Sequence, residues 1–218
     1  MKKKQVTFPC GTLELEGIYF SVQSPSPVPA VVVCHPHPLY GGSMYNNVTF
    51  AIAEALVADG IAALLFNFRG VGGSSGAYCG GVGEQEDVRA ALDYLQTLED
   101  IDQQRLGLAG YSFGGGVVLP VACEDKRVAA FALISPYVEK AWRGVLGNCN
   151  KPKLVIGGTR DDIATPDMIN MCASMAAGPN RIEMIDAADH LWTGYESKMA
   201  QIVADFFSAA LRGQNQGI

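Results

Sequence analysis

Short apolar runs, each too brief for a helix, recur along the chain at residues 30–34, 62–68, 106–109, 128–135, 154–156 and 181–185. Runs of this kind suit strands that are buried on both faces. Helical patterns separate them. Residues 47–59 place apolar side chains at 48, 51, 52, 55 and 56 and stop before Gly60, a residue suited to a helix C-terminus. Residues 84–98 open with Glu84, Glu86 and Asp87, acids that favour a helix N-terminus, and repeat apolar residues at 88, 91, 92, 95 and 98. Thr165-Pro166 reads as an N-cap followed by proline at the first helical position, and residues 195–211 carry a last apolar stripe. Strands alternating with helices predict an α/β fold, a mainly parallel sheet with helices on both faces. Residues 5–10 and 13–20, hinged at Cys10-Gly11-Thr12, predict a hairpin that adds an antiparallel N-terminal edge to a sheet of about eight strands. The chain, 1–218, reads as one domain without a large cap.

Composition narrows the function. A hydrophobic content of 49% with 17% charged residues is a globular balance and not that of a disordered chain. The net charge of −6 would repel a phosphate backbone, so nucleic acid is not an expected partner. The start, MKKKQVTFPC, is basic but leads into an alternating stretch and not an apolar signal segment. The longest apolar runs are far too short to cross a bilayer, so a cytoplasmic protein with no membrane partner is expected. The cysteines at 10, 34, 79, 123, 149 and 172 form no C-x-x-C pair, which points to neither a disulfide framework nor a metal site. Cys34, Cys123 and Cys172 lie among apolar residues and are expected as buried fillers.

Gly110-Tyr111-Ser112-Phe113-Gly114 fits the pattern G-x-S-x-G, between a predicted strand and an apolar stretch able to form a helix. That context can hold a serine on a sharp turn, with glycines where side chains would collide with the neighbouring strand and helix. The plainer reading is a serine N-cap beside packing glycines. Pro120 should kink or end the following helix. A serine hydroxyl needs a base. Of the three histidines, His190 lies beyond the last predicted strand, in the order serine, acid, histidine, whereas His35 and His37 suit loop-shaping roles. The acid should also follow a strand. KLVIGGTRDDIATPD supplies Asp161 and Asp162, with Asp189 a further carboxylate expected to be solvated. An oxyanion hole needs backbone N–H groups. Phe113 supplies one, and the loop after residues 30–34 supplies His37 or, second, Leu39, because Pro36 and Pro38 have none.

With these motifs in order, CHPHPLYGGSMYN, FNFRGVGGSSG, GVGEQEDVRAALDYL, GYSFGG, GGTRDDIATP and AADHLW, the chain resembles the α/β-hydrolase superfamily over nearly its whole length. It is most similar to a small cytoplasmic branch related to dienelactone hydrolases and serine aminopeptidase-like hydrolases. The resemblance implies a Ser-His-Asp hydrolase with no metal or organic cofactor. It also places the acid at Asp161, three residues after the strand-end Gly158. Dienelactone hydrolases proper carry a cysteine where this chain has Ser112, which argues against that particular substrate. The expected activity is cleavage of a small carboxylic ester or related acyl compound. A peptidase or amidase with the same triad, or a silent binding module on the same fold, are the alternatives.

Two loops complete the reading. FRGVGGSSG is glycine-rich but lacks the spacing of a phosphate-binding motif, so a structural turn is expected. Residues 137–152 leave room for one short helix and no lid. The site should therefore be open and favour short acyl groups, with Tyr40, Tyr137, Trp142 and Trp192 as wall residues.

Overall fold

The structure, a computed structural model, describes residues 2–137 and 142–212, without the side chains of Trp142 and Arg143. Strands β1 (Lys2–Cys10), β2 (Leu13–Ser21), β3 (Val28–Cys34), β4 (Ala62–Phe66), β5 (Ile101–Tyr111), β6 (Val128–Ile134), β7 (Lys153–Gly158) and β8 (Asn180–Ile185) form one sheet in the order β1-β2-β4-β3-β5-β6-β7-β8. The β1–β2 and β2–β4 pairs are antiparallel, and every other pair is parallel. The hairpin edge and parallel body expected from the apolar runs are both present. β1 starts at Lys2 rather than residue 5, because its ladder with β2 continues to Lys2 opposite Ser21. Exposed lysines here suit an edge strand, since they discourage pairing with another chain.

Side chains of the central strands alternate between two cores. Val31, Val33, Ala109, Tyr111, Leu154 and Ile156 face helices α1 (Asn47–Ala58) and α6 (Glu196–Arg212). Val32, Cys34, Leu108, Leu133 and Val155 face α2 (Val82–Gln96), α3 (Phe113–Glu124), α4 (Trp142–Asn148) and α5 (Pro166–Met175). Burial on both faces explains why these strands read as unbroken apolar runs. Phe207 of α6 lies so close to β5 that a Cβ on Gly107 would fall 2.6 Å from its ring. Cys34 and Cys172 are buried as expected, while Cys123 is only half-buried. No helix among the described residues is long and apolar enough to cross a membrane.

Pro120 does not end its helix, which runs on to Glu124. Proline removes the hydrogen bond to the Gly116 carbonyl. Both residues sit on the half-exposed side of α3, where that carbonyl can turn to solvent. The connection after β6 contains the short helix α4, as its length implied.

The glycine-rich loop after β4 is a structural turn. Asn67 and the Gly73 N–H both donate to the Glu16 carboxylate, each at 2.6 Å. Arg69 donates to Asp87 of α2 through Nη2 at 2.7 Å and through its own backbone N–H at 2.9 Å. Asp87 is fully buried. Asp87→Ala should therefore leave the part-buried Arg69 guanidinium and the Arg69 backbone N–H without their acceptor, costing about 2 kcal/mol of stability in urea unfolding.

Candidate active site

Backbone packing forces the turn at Ser112. Its φ of 53° and ψ of −116° are strained for a residue with a side chain. A Cβ on Gly110 would lie 2.3 Å from the Gly114 carbonyl oxygen, and one on Gly114 would lie 2.6 Å from that of Cys34. Glycine at both positions lets β3, β5 and α3 converge, and the Ser112 N–H is tied to the Ile134 carbonyl at 2.8 Å. Ser112 occupies the N-cap position of α3, yet its side chain makes no capping bond. The hydroxyl points elsewhere.

It points to His190. The hydroxyl lies 3.1 Å from Nε2, and Nδ1 of the same ring lies 2.9 Å and 3.0 Å from the two oxygens of Asp161. A carboxylate can only accept, so Nδ1 carries the proton and Nε2 is left to accept from the serine. The structure thus brings together Ser112, Asp161 and His190, each beyond the carboxyl end of a strand. Tyr111 donates to the His190 carbonyl at 2.7 Å, and a Cβ on Gly158 would fall 2.2 Å from the Ala188 carbonyl, so the loops after β7 and β8 are locked together.

Of the three carboxylates considered, only Asp161 meets the ring. Asp162 is exposed. Asp189 accepts the Thr193 N–H at 3.1 Å and closes a turn. Asp161 also accepts the N–H groups of Ile163 at 3.0 Å and Ala164 at 2.8 Å. It helps start the segment before α5, where Thr165 holds the N-cap position but makes no side-chain bond. Burial alone would push the Asp161 carboxyl up. The hydrogen bonds from His190, Ser135 and the Ile163 backbone outweigh it and hold the group below its ordinary value.

Ser135 was not legible as a site residue. It follows β6 with φ 42°, donates to Asp161 and accepts the Trp192 indole N–H at 3.2 Å. Trp192 is fully buried, so it is no wall of an open pocket. It packs behind the acid and orients Ser135. Tyr40 and Tyr137 are exposed at the sheet's carboxyl edge, while the Trp142 side chain lies outside the described residues.

The β3 loop closes over the other side of Ser112. The His37 ring lies 4.8 Å from the Phe113 ring. Leu39, the second choice as oxyanion donor, spends its N–H on Nδ1 of His37 at 3.2 Å. The N–H groups of His37 and Phe113 carry no hydrogen bond to another described residue. The His37 imidazole has a loop-shaping part, because it also meets the Tyr78 hydroxyl at 3.3 Å. His35 donates through Nδ1 to the Pro36 carbonyl at 2.7 Å and accepts the Phe68 N–H at 3.1 Å, so it too shapes the loop as a neutral ring. Burial pushes it down from 6.5 to about 4. Among the described residues no cluster of three or more His, Cys, Asp or Glu side chains is placed to hold a metal ion.

A strained serine at a strand-to-helix turn, paired with a histidine and a buried acid at the carboxyl edge of this sheet, is the arrangement of the α/β hydrolases. The sequence profile described as the alpha/beta hydrolase fold matches residues 29–142, and the chain belongs to that family. Membership, together with this geometry, makes it a hydrolase. An uncharacterised protein of Rickettsia prowazekii is 32% identical over 88% of this chain and 83% of its own length. An alpha-beta serine hydrolase homologue from Coxiella burnetii has a TM-score of 0.85 at 28% identity, covering 94% of this chain and 97% of its own. A Xanthomonas campestris protein, described as an a/b serine hydrolase without lid, has a TM-score of 0.82 at 26% identity, covering 100% and 97%.

Two outcomes test this site. Asp161→Asn should lower kcat by about 10³-fold or more in ester assays, through loss of the required tautomer, whereas Asp162→Asn should change it less than about twofold. His35 gives a pH signature. The unfolded chain binds a proton there below pH 6.5, and the folded one only near pH 4. Stability is therefore complete above pH 6.5 and is lost as pH falls toward 4, by about 2–3 kcal/mol. In denaturant titrations His35→Gln should lower stability at pH 7 but flatten its fall across that window.

Proposed function

We propose that the chain is a serine hydrolase of small carboxylic esters, acting through an acyl-enzyme on Ser112. The observation that carries the reading is the continuous hydrogen-bonded path from the Ser112 hydroxyl through His190 to a buried, ionised Asp161. The serine oxygen attacks the ester carbonyl while Nε2 of His190 takes its proton. The carbonyl oxygen, now negative, turns to the N–H groups of Phe113 and His37. When the C–O bond to the alcohol breaks, His190 hands its proton to the departing oxygen. Water then attacks the acyl-enzyme with His190 again as base, releasing the acid and restoring the serine. Asp161 keeps its negative charge throughout, stabilising the imidazolium without taking its proton. The C. burnetii relative, described as a serine hydrolase homologue, and the X. campestris relative, described as a serine hydrolase, support this assignment.

A fluorophosphonate probe should label Ser112 covalently in the folded protein. Ser112→Ala should abolish labelling, and Ser112→Ala or His190→Ala should reduce ester turnover by about 10³-fold or more with the melting temperature nearly kept. Near-normal turnover by a folded Ser112→Ala variant would overturn the mechanism. Absence of labelling in folded wild-type protein would point instead to a binding module.

A further inference from the structure

We propose that Tyr78 is a positioning residue for the oxyanion hole of this hydrolase, acting through the side chain of His37. This deepens the serine hydrolase reading above and rests on it. The Tyr78 hydroxyl lies 3.3 Å from Nε2 of His37, and Nδ1 of the same ring lies 3.2 Å from the Leu39 nitrogen. A backbone N–H can only donate, so Nδ1 is an acceptor and the proton of the neutral ring is on Nε2. Nε2–H therefore donates to the Tyr78 oxygen. The other two histidines have the opposite tautomer. His35 and His190 carry their proton on Nδ1, toward the Pro36 carbonyl and the Asp161 carboxylate. Burial pushes the His37 ring below its ordinary value, against the opposing charge of Glu84, and pushes the Tyr78 hydroxyl up. Near neutral pH the ring is uncharged and the hydroxyl protonated, as this bond requires.

The ring connects Tyr78 to the reacting serine. Through Nδ1 it holds the short turn Pro38–Tyr40. The His37 carbonyl accepts the Tyr40 N–H at 3.1 Å and the Gly42 N–H at 3.0 Å. With ring and carbonyl both tied, the remaining polar group of His37 is its backbone N–H, the second oxyanion donor. The two donor residues also touch through their side chains. The His37 and Phe113 rings are 4.8 Å apart, and the Tyr78 ring lies 5.2 Å from the first and 5.8 Å from the second. Tyr78 thus braces both residues whose N–H groups must converge on one oxygen. Such donors are effective when they need not reorganise as charge develops.

The glycine-rich loop after β4 holds Tyr78 still. Gly70 has φ 76°, and a Cβ on it would fall 2.9 Å from the Cα of Ala77. On the other side, the N–H groups of Cys79 and Gly81 donate to the two oxygens of fully buried Glu84, at 2.7 Å and 2.8 Å. Both chain neighbours of Tyr78 are therefore anchored, and its ring is carried across to the β3 loop. That gives FRGVGGSSG a purpose other than binding phosphate: it is the support of a tyrosine. Among the described residues the Tyr78 hydroxyl has no hydrogen-bond partner other than His37, so removing its oxygen tests this bond alone.

Two measurements test the role. Nitrogen NMR of the three histidines in the wild-type protein reads the tautomers directly. His37 should show the Nε2–H form and the other two the Nδ1–H form; an Nδ1–H ring at His37 would overturn the proposal. The second measurement is kinetic. Tyr78→Phe keeps the ring contacts and removes the acceptor, and circular dichroism verifies folding. An oxyanion donor is worth about 10²–10³-fold in kcat, so a displaced one should cost about tenfold on p-nitrophenyl acetate, with KM changed less than about twofold. The matching thionoester, with a weakly accepting sulfur for the carbonyl oxygen, should lose less than about threefold. His37→Asn keeps the backbone N–H and a side-chain oxygen able to accept the Leu39 N–H, but offers Tyr78 no ring nitrogen. In that background Tyr78→Phe should change kcat by less than about twofold. Unchanged kcat in folded Tyr78→Phe, equal losses on ester and thionoester, or a full loss in the His37→Asn background would overturn the positioning role, while fluorophosphonate labelling of Ser112 still upheld the hydrolase. If Ser112 were not labelled and no ester were turned over, the serine hydrolase reading would fall, and this role with it.

Discussion

The close approach of β3, β5 and α3 at Gly110 and Gly114 is the constraint on which the site depends. With the Gly114 carbonyl 2.3 Å from where a Gly110 Cβ would stand, there is no room for the chain to relax between them. Ser112 is the residue that absorbs the strain, at φ 53°. A strained serine that capped its helix would gain a local bond. This one leaves its hydroxyl for His190, and the surrounding backbone contacts hold the unfavourable conformation in place. The same approach sets the distance between the Phe113 N–H and the β3 loop.

Electrostatics follow from that geometry. A buried carboxylate is costly unless its oxygens are satisfied. Asp161 has the imidazole, two backbone N–H groups and the Ser135 hydroxyl around it. It is kept ionised by these donors and not by solvent. Trp192 supports it from behind with one indole N–H. The acid therefore sits in a rigid shell, and the tautomer of His190 is decided before any substrate arrives.

Much of this was legible in the sequence, for physical reasons. Strands buried on both faces cannot avoid continuous apolar residues, so the parallel body of the sheet shows in residues such as 30–34 and 154–156. The first half of β5 was hidden because Asp102, Gln103, Gln104 and Arg105 project beyond the sheet into solvent. Ser112 and His190 could be found by their order and their position after strands. The choice between Asp161 and Asp162 needed the family spacing, since adjacent acids differ only in which way they face. The parts that Ser135 and Trp192 play depend on segments far apart in the chain. No local pattern encodes such meetings.

Helix α3 has a consequence for how the protein comes into being. Within Phe113–Glu124, Gly114, Gly115, Gly116 and Pro120 together disfavour an isolated helix by about 6 kcal/mol relative to alanine. The segment has little reason to coil until the sheet is there to receive it, with Gly114 against the Cys34 carbonyl and Gly115 against Pro136. His190, the partner of the Ser112 hydroxyl, arrives later still. On the ribosome, a chain that has just exposed Ser112 still lacks the His190 ring that its hydroxyl meets in the fold. The hydrogen-bonded path from Ser112 through His190 to Asp161 is completed only when the last quarter of the polypeptide has emerged and docked.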